Sequence, residues 1–187
     1  TNAILEPSIE NKESALLNSQ SAGSSNTSKT TGKIKWVSAF YIIGMHIACI
    51  AAFFTFSWKA LGLCLVLHWV TGCLGITLCY HRLLTHRSFK VPQWLEYFLA
   101  ILGCLAGQAG PISWVGAHRL HHAKSDEEGD PHSPLKGFFW AHMGWCLTHS
   151  AIIDDYKEYS RFTPDLAKDP IYVFLDKFHI LWTGLLA

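Results

Sequence analysis

Residues 60–86 read ALGLCLVLHWVTGCLGITLCYHRLLTH. From Ala60 to Tyr80 the stretch holds no Asp, Glu, Lys or Arg, and an apolar run of about 20 residues is what an α-helix needs to cross a bilayer. It then passes directly into His81 and His86. An uncharged span that ends in closely spaced histidines makes two points. The chain is expected to be an all-α, polytopic membrane protein, and its chemistry is expected where the helix leaves the lipid.

A similar run lies upstream, with no charged residue from Trp36 to Trp58 apart from the histidine at 46. Two spans result, over about 36–56 and 60–80. Lys29, Lys33 and Lys35 precede the first, Arg82, Arg87 and Lys90 come after the second, and only Lys59 lies between them. The positive-inside tendency then places both outer ends in the cytoplasm or its equivalent, and the pair forms a tight helical hairpin. Trp36, Trp58 and Tyr80 sit at interface depth. Residues 1–33, rich in Ser, Asn and Thr, are read as a disordered tail. No pattern of a secretory signal precedes the first span, which is expected to act as its own targeting element.

Composition adds exclusions. Half of the residues are hydrophobic and the formal net charge is +1, so nothing suggests a nucleic-acid partner. The six cysteines lie in apolar surroundings without a CxxC pair and are read as packing residues.

Downstream, Pro92 opens an apolar segment from Trp94 to Gly107 that is too short for a span. An interfacial or re-entrant helix over about 92–107 keeps the residues after it on the same side as His81 and His86. GDPHSP at 129–134 reads as a turn before a short aromatic helix around 138–147. A third span is expected to begin at about residue 178 and to continue past Ala187.

Five of the eleven histidines fall in two clusters, HRLLTH (81–86) and HRLHH (118–122). On a helix, His118, His121 and His122 stand at i, i+3 and i+4, so all three are expected to project from one face. His81 and His86 are about 140° apart on an ideal helix, so they either flank a centre or sit where the helix unwinds. With both clusters on one side of the membrane, the histidines are expected to meet. Imidazole suits Fe, Zn, Cu and Ni alike, but five ligands exceed a usual zinc site and point to two metals. His46 and His68 are read as hydrogen-bonded within the spans, and His132, His142, His149 and His179 as supporting or surface groups.

The pieces GITLCYHRLLTHRSFK, WVGAHRLHHAKSDEEGDPHSP and KGFFWAHMGW, between about Gly75 and Trp145, together resemble the membrane fatty-acid desaturases of the delta-nine, stearoyl-CoA-desaturase-like type and their cyanobacterial and plant relatives. The order HxxxxH, hydrophobic spacer, HxxHH and DPH turn carries the resemblance. It implies that His81, His86, His118, His121 and His122 bind two iron ions with dioxygen as co-substrate, and that a third histidine box and one further histidine lie beyond this chain. On that expectation the isolated chain is inactive. Gln108 and Trp114 match positions that shape an acyl channel. Arg82 and Arg119 are candidates to orient ligands or hold anions, and Asp130 to orient a ligand imidazole or to cap a turn.

The implied reaction removes two hydrogens from adjacent methylenes of a fatty acyl chain, on CoA or in a lipid, with electrons from a donor such as ferredoxin or cytochrome b5. An unactivated C–H bond offers no acidic proton or electrophile, so the difficult step belongs to a metal. Two other readings share the clusters: a hydroxylase or monooxygenase on the same scaffold, and a non-catalytic truncated membrane fragment.

Overall fold

The computed structural model describes residues 30–150 and 154–186. It is mostly helical: α1 (Trp36–Ala51), α2 (Trp58–Thr85), α3 (Gln93–Leu105), α4 (Pro111–Ala123), α5 (Pro170–Lys177) and α6 (His179–Gly184). Shorter helical segments lie between α4 and α5 at Pro134–Lys136, Trp140–Leu147 and Tyr156–Phe162.

Of the described helices, α2 alone is long and apolar enough to cross a membrane, with 28 residues and a mean hydropathy of 1.9. Its first half is apolar on every side and exposed, as at Leu63, Leu65 and Val66, which is the pattern of a helix meant for an apolar surround. The helix does not stop at Tyr80, where the uncharged run ends. It continues to Thr85 because Leu83 and Leu84 are buried against the core, so one face still has a partner after the polar residues begin. From Trp69 to Thr85 it is wound as a π-helix.

The helix α1 ends at Ala51 rather than near residue 56, and its 16 residues fall short of the about 20 that a crossing needs. Turn-type hydrogen bonds from Phe53, Phe54 and Thr55 come after it. Near residue 178 one short helix ends and another begins at His179, where the sequence predicts the start of a third span. Asp169 caps α5 by accepting from the Ile171 N–H at 2.9 Å, and the non-helical backbone of Phe178 separates α5 from α6. A helix is present where one is expected over about 92–107, as α3.

One departure from an all-α fold occurs among the described residues. Thr30–Ile34 (β1) pairs antiparallel with Thr148–Ser150 (β2), and Lys35 adds an ion pair to Asp154 and a backbone bond to Leu147. The expected disordered tail therefore ends earlier than residue 33, because 30–33 find strand partners. Its remainder, residues 1–29, lies outside the described residues.

The core lies where α2, α3, α4 and α5 meet: Cys79, Tyr80, Leu83 and Leu84, then Leu99, Ala100 and Cys104, with Ile112, Val115, Leu166, Tyr172 and Leu175. Gly75 sets the α2–α3 approach. A Cβ there would lie 2.5 Å from the backbone nitrogen of Gly103, so the two helices touch backbone to backbone, as small residues permit in membrane helix packing.

Candidate metal centre

His81 stands in the last turn of α2 and His86 is its C-cap. The His86 N–H donates to the His81 carbonyl at 3.1 Å, a bond of the i→i+5 kind that defines π winding. Residues five apart therefore come round to the same side, and the two rings meet with Nε2 atoms 3.3 Å apart. Of the two arrangements left open by the α-helical spacing, this is the second, in which the pair sits where the helix unwinds. The winding itself brings the pair together.

On α4, His118 and His122 place their Nε2 atoms 3.2 Å apart. The two pairs then face each other: ring centroids are 4.8 Å apart for His81 with His118 and 4.8 Å for His86 with His122. One ligand nitrogen from each of the four rings lies within 4.8 Å of the others.

His121 does not join them. Residues i+3 and i+4 lie on opposite sides of residue i, about 100° from each other, and α4 turns the His118 and His122 edge to the centre. The His121 ring turns instead to Asp130, with Nδ1 3.0 Å from both carboxylate oxygens, and packs 4.2 Å from the His132 ring. Asp130 is buried and also accepts from the backbone N–H groups of Asp126 and His132. Burial alone would raise its pKa, but the His121 ring and those two N–H groups outweigh it and hold the carboxyl below its usual range. An ionised carboxylate only accepts, so the bond places a His121 proton on Nδ1 and leaves Nε2 turned away from Asp130. This is the arrangement in which a carboxylate orients a metal-binding histidine. His121, Asp130 and His132 form a second group of potential ligands.

The four converging rings fit a metal by the chemistry of their donors. Among the described residues no carboxylate or carbonyl accepts a hydrogen bond from them; each pairs only with its partner ring. Burial, then the neighbouring His122, His81, His121 and His86, push the His118 pKa down to about 4. Burial and His86 lower His122 as well. Neutral imidazoles crowded at this distance offer lone pairs to a shared cation, and an all-imidazole set suits Fe, Zn, Cu or Ni.

Other candidates fall into place around this core. Trp114 packs 4.9 Å from the His118 ring and 5.8 Å from Tyr80, and its Nε1–H donates to the Gln108 side-chain oxygen at 3.2 Å. Arg119 points away from the rings, to Asp165 and to the carbonyl oxygens of Leu84 and Phe162. Arg82 is exposed and has no ion pair among the described residues. Of the histidines set aside, His46 bonds the Ile42 carbonyl, His142 stacks on Phe138 and His179 bonds the Asp176 carbonyl.

Two supporting residues had no signal in the sequence. Asp165 binds Arg119 and Arg87. Asp176, buried at 4% exposure, accepts from the Ser113 N–H at 2.8 Å and from the Tyr159 hydroxyl at 2.9 Å. It thereby caps the first turn of α4 from α5, a task usually left to a local side chain. A cap supplied from another segment leaves no local pattern to read.

The sequence model of the fatty acid desaturase family matches residues 34–187. The chain is 52% identical over 153 residues to an sn-1 stearoyl-lipid 9-desaturase of Anabaena variabilis, covering 81% of this chain and 55% of that protein. It is 45% identical over 150 residues to an sn-2 palmitoyl-lipid 9-desaturase of Nostoc sp. (strain 36), covering 80% and 53%. An acyl-CoA 5-desaturase of Anemone leveillei is 44% identical over 162 residues, covering 80% and 50%. The chain spans about half the length of the curated relatives it matches.

Proposed function

The chain belongs to the fatty acid desaturase family, and from that premise we propose that it supplies part of a di-iron site for oxygen-dependent desaturation of a fatty acyl chain, at carbon nine. The supporting observation is the convergence of His81, His86, His118 and His122 from two separate helices. These four would hold metal directly, and His121 would join through the Nε2 that Asp130 leaves free. When bound, iron would supply the oxidising power toward an unactivated C–H bond that no side chain has.

The protein's own groups do the rest. Asp130 holds the His121 proton at Nδ1 and aims the ring. Trp114 covers one side of His118 and, with Gln108, lines the path of the acyl chain toward the histidines. Orientation matters here because the two hydrogens must come from neighbouring carbons, and a misplacement of about 1 Å costs about 100-fold.

In the membrane, α2 spans the bilayer and α1, extended by the largely apolar residues 52–56 after it, is the other arm of a hairpin, in a multi-pass protein. The histidines sit at the cytoplasmic surface or its equivalent, where Arg82, Arg87 and Lys90 cluster at the end of α2. The substrate is an acyl-lipid or an acyl-CoA; the relatives carry names of both kinds. Electrons come from a donor such as ferredoxin or cytochrome b5.

The test is expression of the whole gene in a desaturase-deficient host beside a His118→Ala version, with acyl products read by mass spectrometry. New acyl chains unsaturated at carbon nine are expected from the first and none from the second. Equal products from both would refute the ligand assignment, and a hydroxylated acyl chain as the main product would replace the desaturase by a hydroxylase.

A further inference from the structure

The end of α2 and the middle of α4 carry the two histidine pairs, and a polar link joins the two helices beside the rings. Arg119, next to His118 in sequence, donates Nη2 to the Leu84 carbonyl at 2.8 Å. Leu84 lies in the last turn of α2, where carbonyl oxygens lack helical partners. A side chain of α4 thus caps the helix that carries His81 and His86.

The Arg119 guanidinium is itself held in place. Nη1 lies 2.7 Å from Asp165 Oδ1 and Nη2 3.0 Å from Asp165 Oδ2, with a further bond from Nη1 to the Phe162 carbonyl at 3.0 Å. A bidentate pair fixes the plane of the guanidinium as well as its position. The same carboxylate takes Arg87 Nη2 at 2.6 Å. Arg87 comes directly after His86 and has φ of 50°, a left-handed backbone that ordinary side chains adopt only when their surroundings hold them there. Glu96 of α3 approaches the same arginine, 3.7 Å from Nη1.

We infer that Asp165 is a positioning residue for the metal centre: acting through Arg119 and Arg87, it sets the separation of the His81/His86 and His118/His122 pairs. The inference rests on the metal reading proposed above. Asp165 touches no histidine. One of its arginines reaches from α4 to the end of α2, and the other forms the turn that ends α2 at His86. Partly exposed ion pairs add little stability on their own. A planar, two-armed network that spans both ligand helices adds geometry, and removing outer partners of metal ligands typically costs about 10–100-fold in metal affinity.

The test uses protein produced from the whole gene, purified in detergent and stripped of metal, with cobalt(II) as the probe. Wild type, Asp165→Asn, Asp165→Glu, Arg119→Lys and His118→Ala are compared by cobalt affinity, visible ligand-field spectrum and backbone amide exchange of the metal-free form. Asp165→Asn and Arg119→Lys are expected to bind cobalt about 10–100-fold more weakly, with a changed band. Exchange is expected to quicken at His86 and Ser88, whose N–H groups bond the carbonyls of His81 and Arg82. Asp165→Glu, which keeps the charge, is expected to recover most of the affinity. Wild-type affinity, band and exchange in Asp165→Asn would overturn the positioning role, as would a loss explained wholly by a smaller folded fraction. Failure of wild type to bind cobalt, or equal binding by His118→Ala, would instead overturn the metal reading on which the role rests.

Discussion

The backbone N–H of His86 donates to the carbonyl of His81 at 3.1 Å, and their Nε2 atoms stand 3.3 Å apart. Both contacts arise from π winding at the end of α2, and that winding makes a spacing of five residues equivalent to sharing one face. The pairing of these two histidines is thus encoded in helix register as much as in residue type.

Exchanging the last residue of this helix with its C-cap tests the point. A Thr85→His/His86→Thr double variant keeps the histidine count but moves one ring off the i+5 position. Metal affinity is expected to fall by about tenfold or more, toward the range seen when the support of a metal ligand is lost, read as metal content after dialysis of the purified protein. Unchanged content would show that register is unimportant.

Asp130 has structural and orienting duties at once, since it accepts from two backbone N–H groups and from the His121 ring. Asp130→Ala leaves the buried donors unpaired, so about 1–3 kcal/mol of stability is expected to be lost. Metal affinity should fall by a further about 10–100-fold. Thermal melting of the metal-free protein measures the first effect and metal titration the second.

Gly75 admits no side chain, because a Cβ would meet the Gly103 nitrogen at 2.5 Å. Gly75→Ala is expected to push α2 and α3 apart and to cost about 1–3 kcal/mol. Gly62, with nothing within 4 Å of its Cβ position, should accept alanine without loss. Melting temperatures of the two variants make the comparison.

The Asp165 carboxyl feels burial, which raises its pKa, but the Arg119 and Arg87 bonds outweigh this and hold it well below the usual range. A depressed folded value means that the unfolded chain binds the proton first on acidification. The contribution to stability is therefore present above the ordinary carboxylate pKa of about 3.9 and is lost as pH falls below it toward the folded value. Unfolding midpoints measured from neutral pH down through that range should drop less steeply for Asp165→Asn than for wild type. Parallel curves would contradict the network.

Much of this protein is legible from residue order alone. Uncharged length announces α2, Pro92 and the glycines bound α3, and two histidine clusters separated by a short apolar helix announce a candidate metal site, because each of these is a local property of composition and spacing. Asp130 as a partner of a histidine is likewise readable from the DPH turn nine residues after His121. Tertiary structure decided the rest. It extended α2 past its charge boundary by burying Leu83 and Leu84, chose a π winding that brought His81 against His86, and left His121 facing Asp130 while His118 and His122 faced the centre. It also recruited Asp165 and Asp176 from distant segments to tie down α4 and the end of α2. The physical reason is the same throughout. Apolar length and ligand type are properties of single residues and their neighbours, whereas helix register, helix rotation and the choice of a remote cap are set by which partner each face and each unpaired backbone group finds once the helices pack.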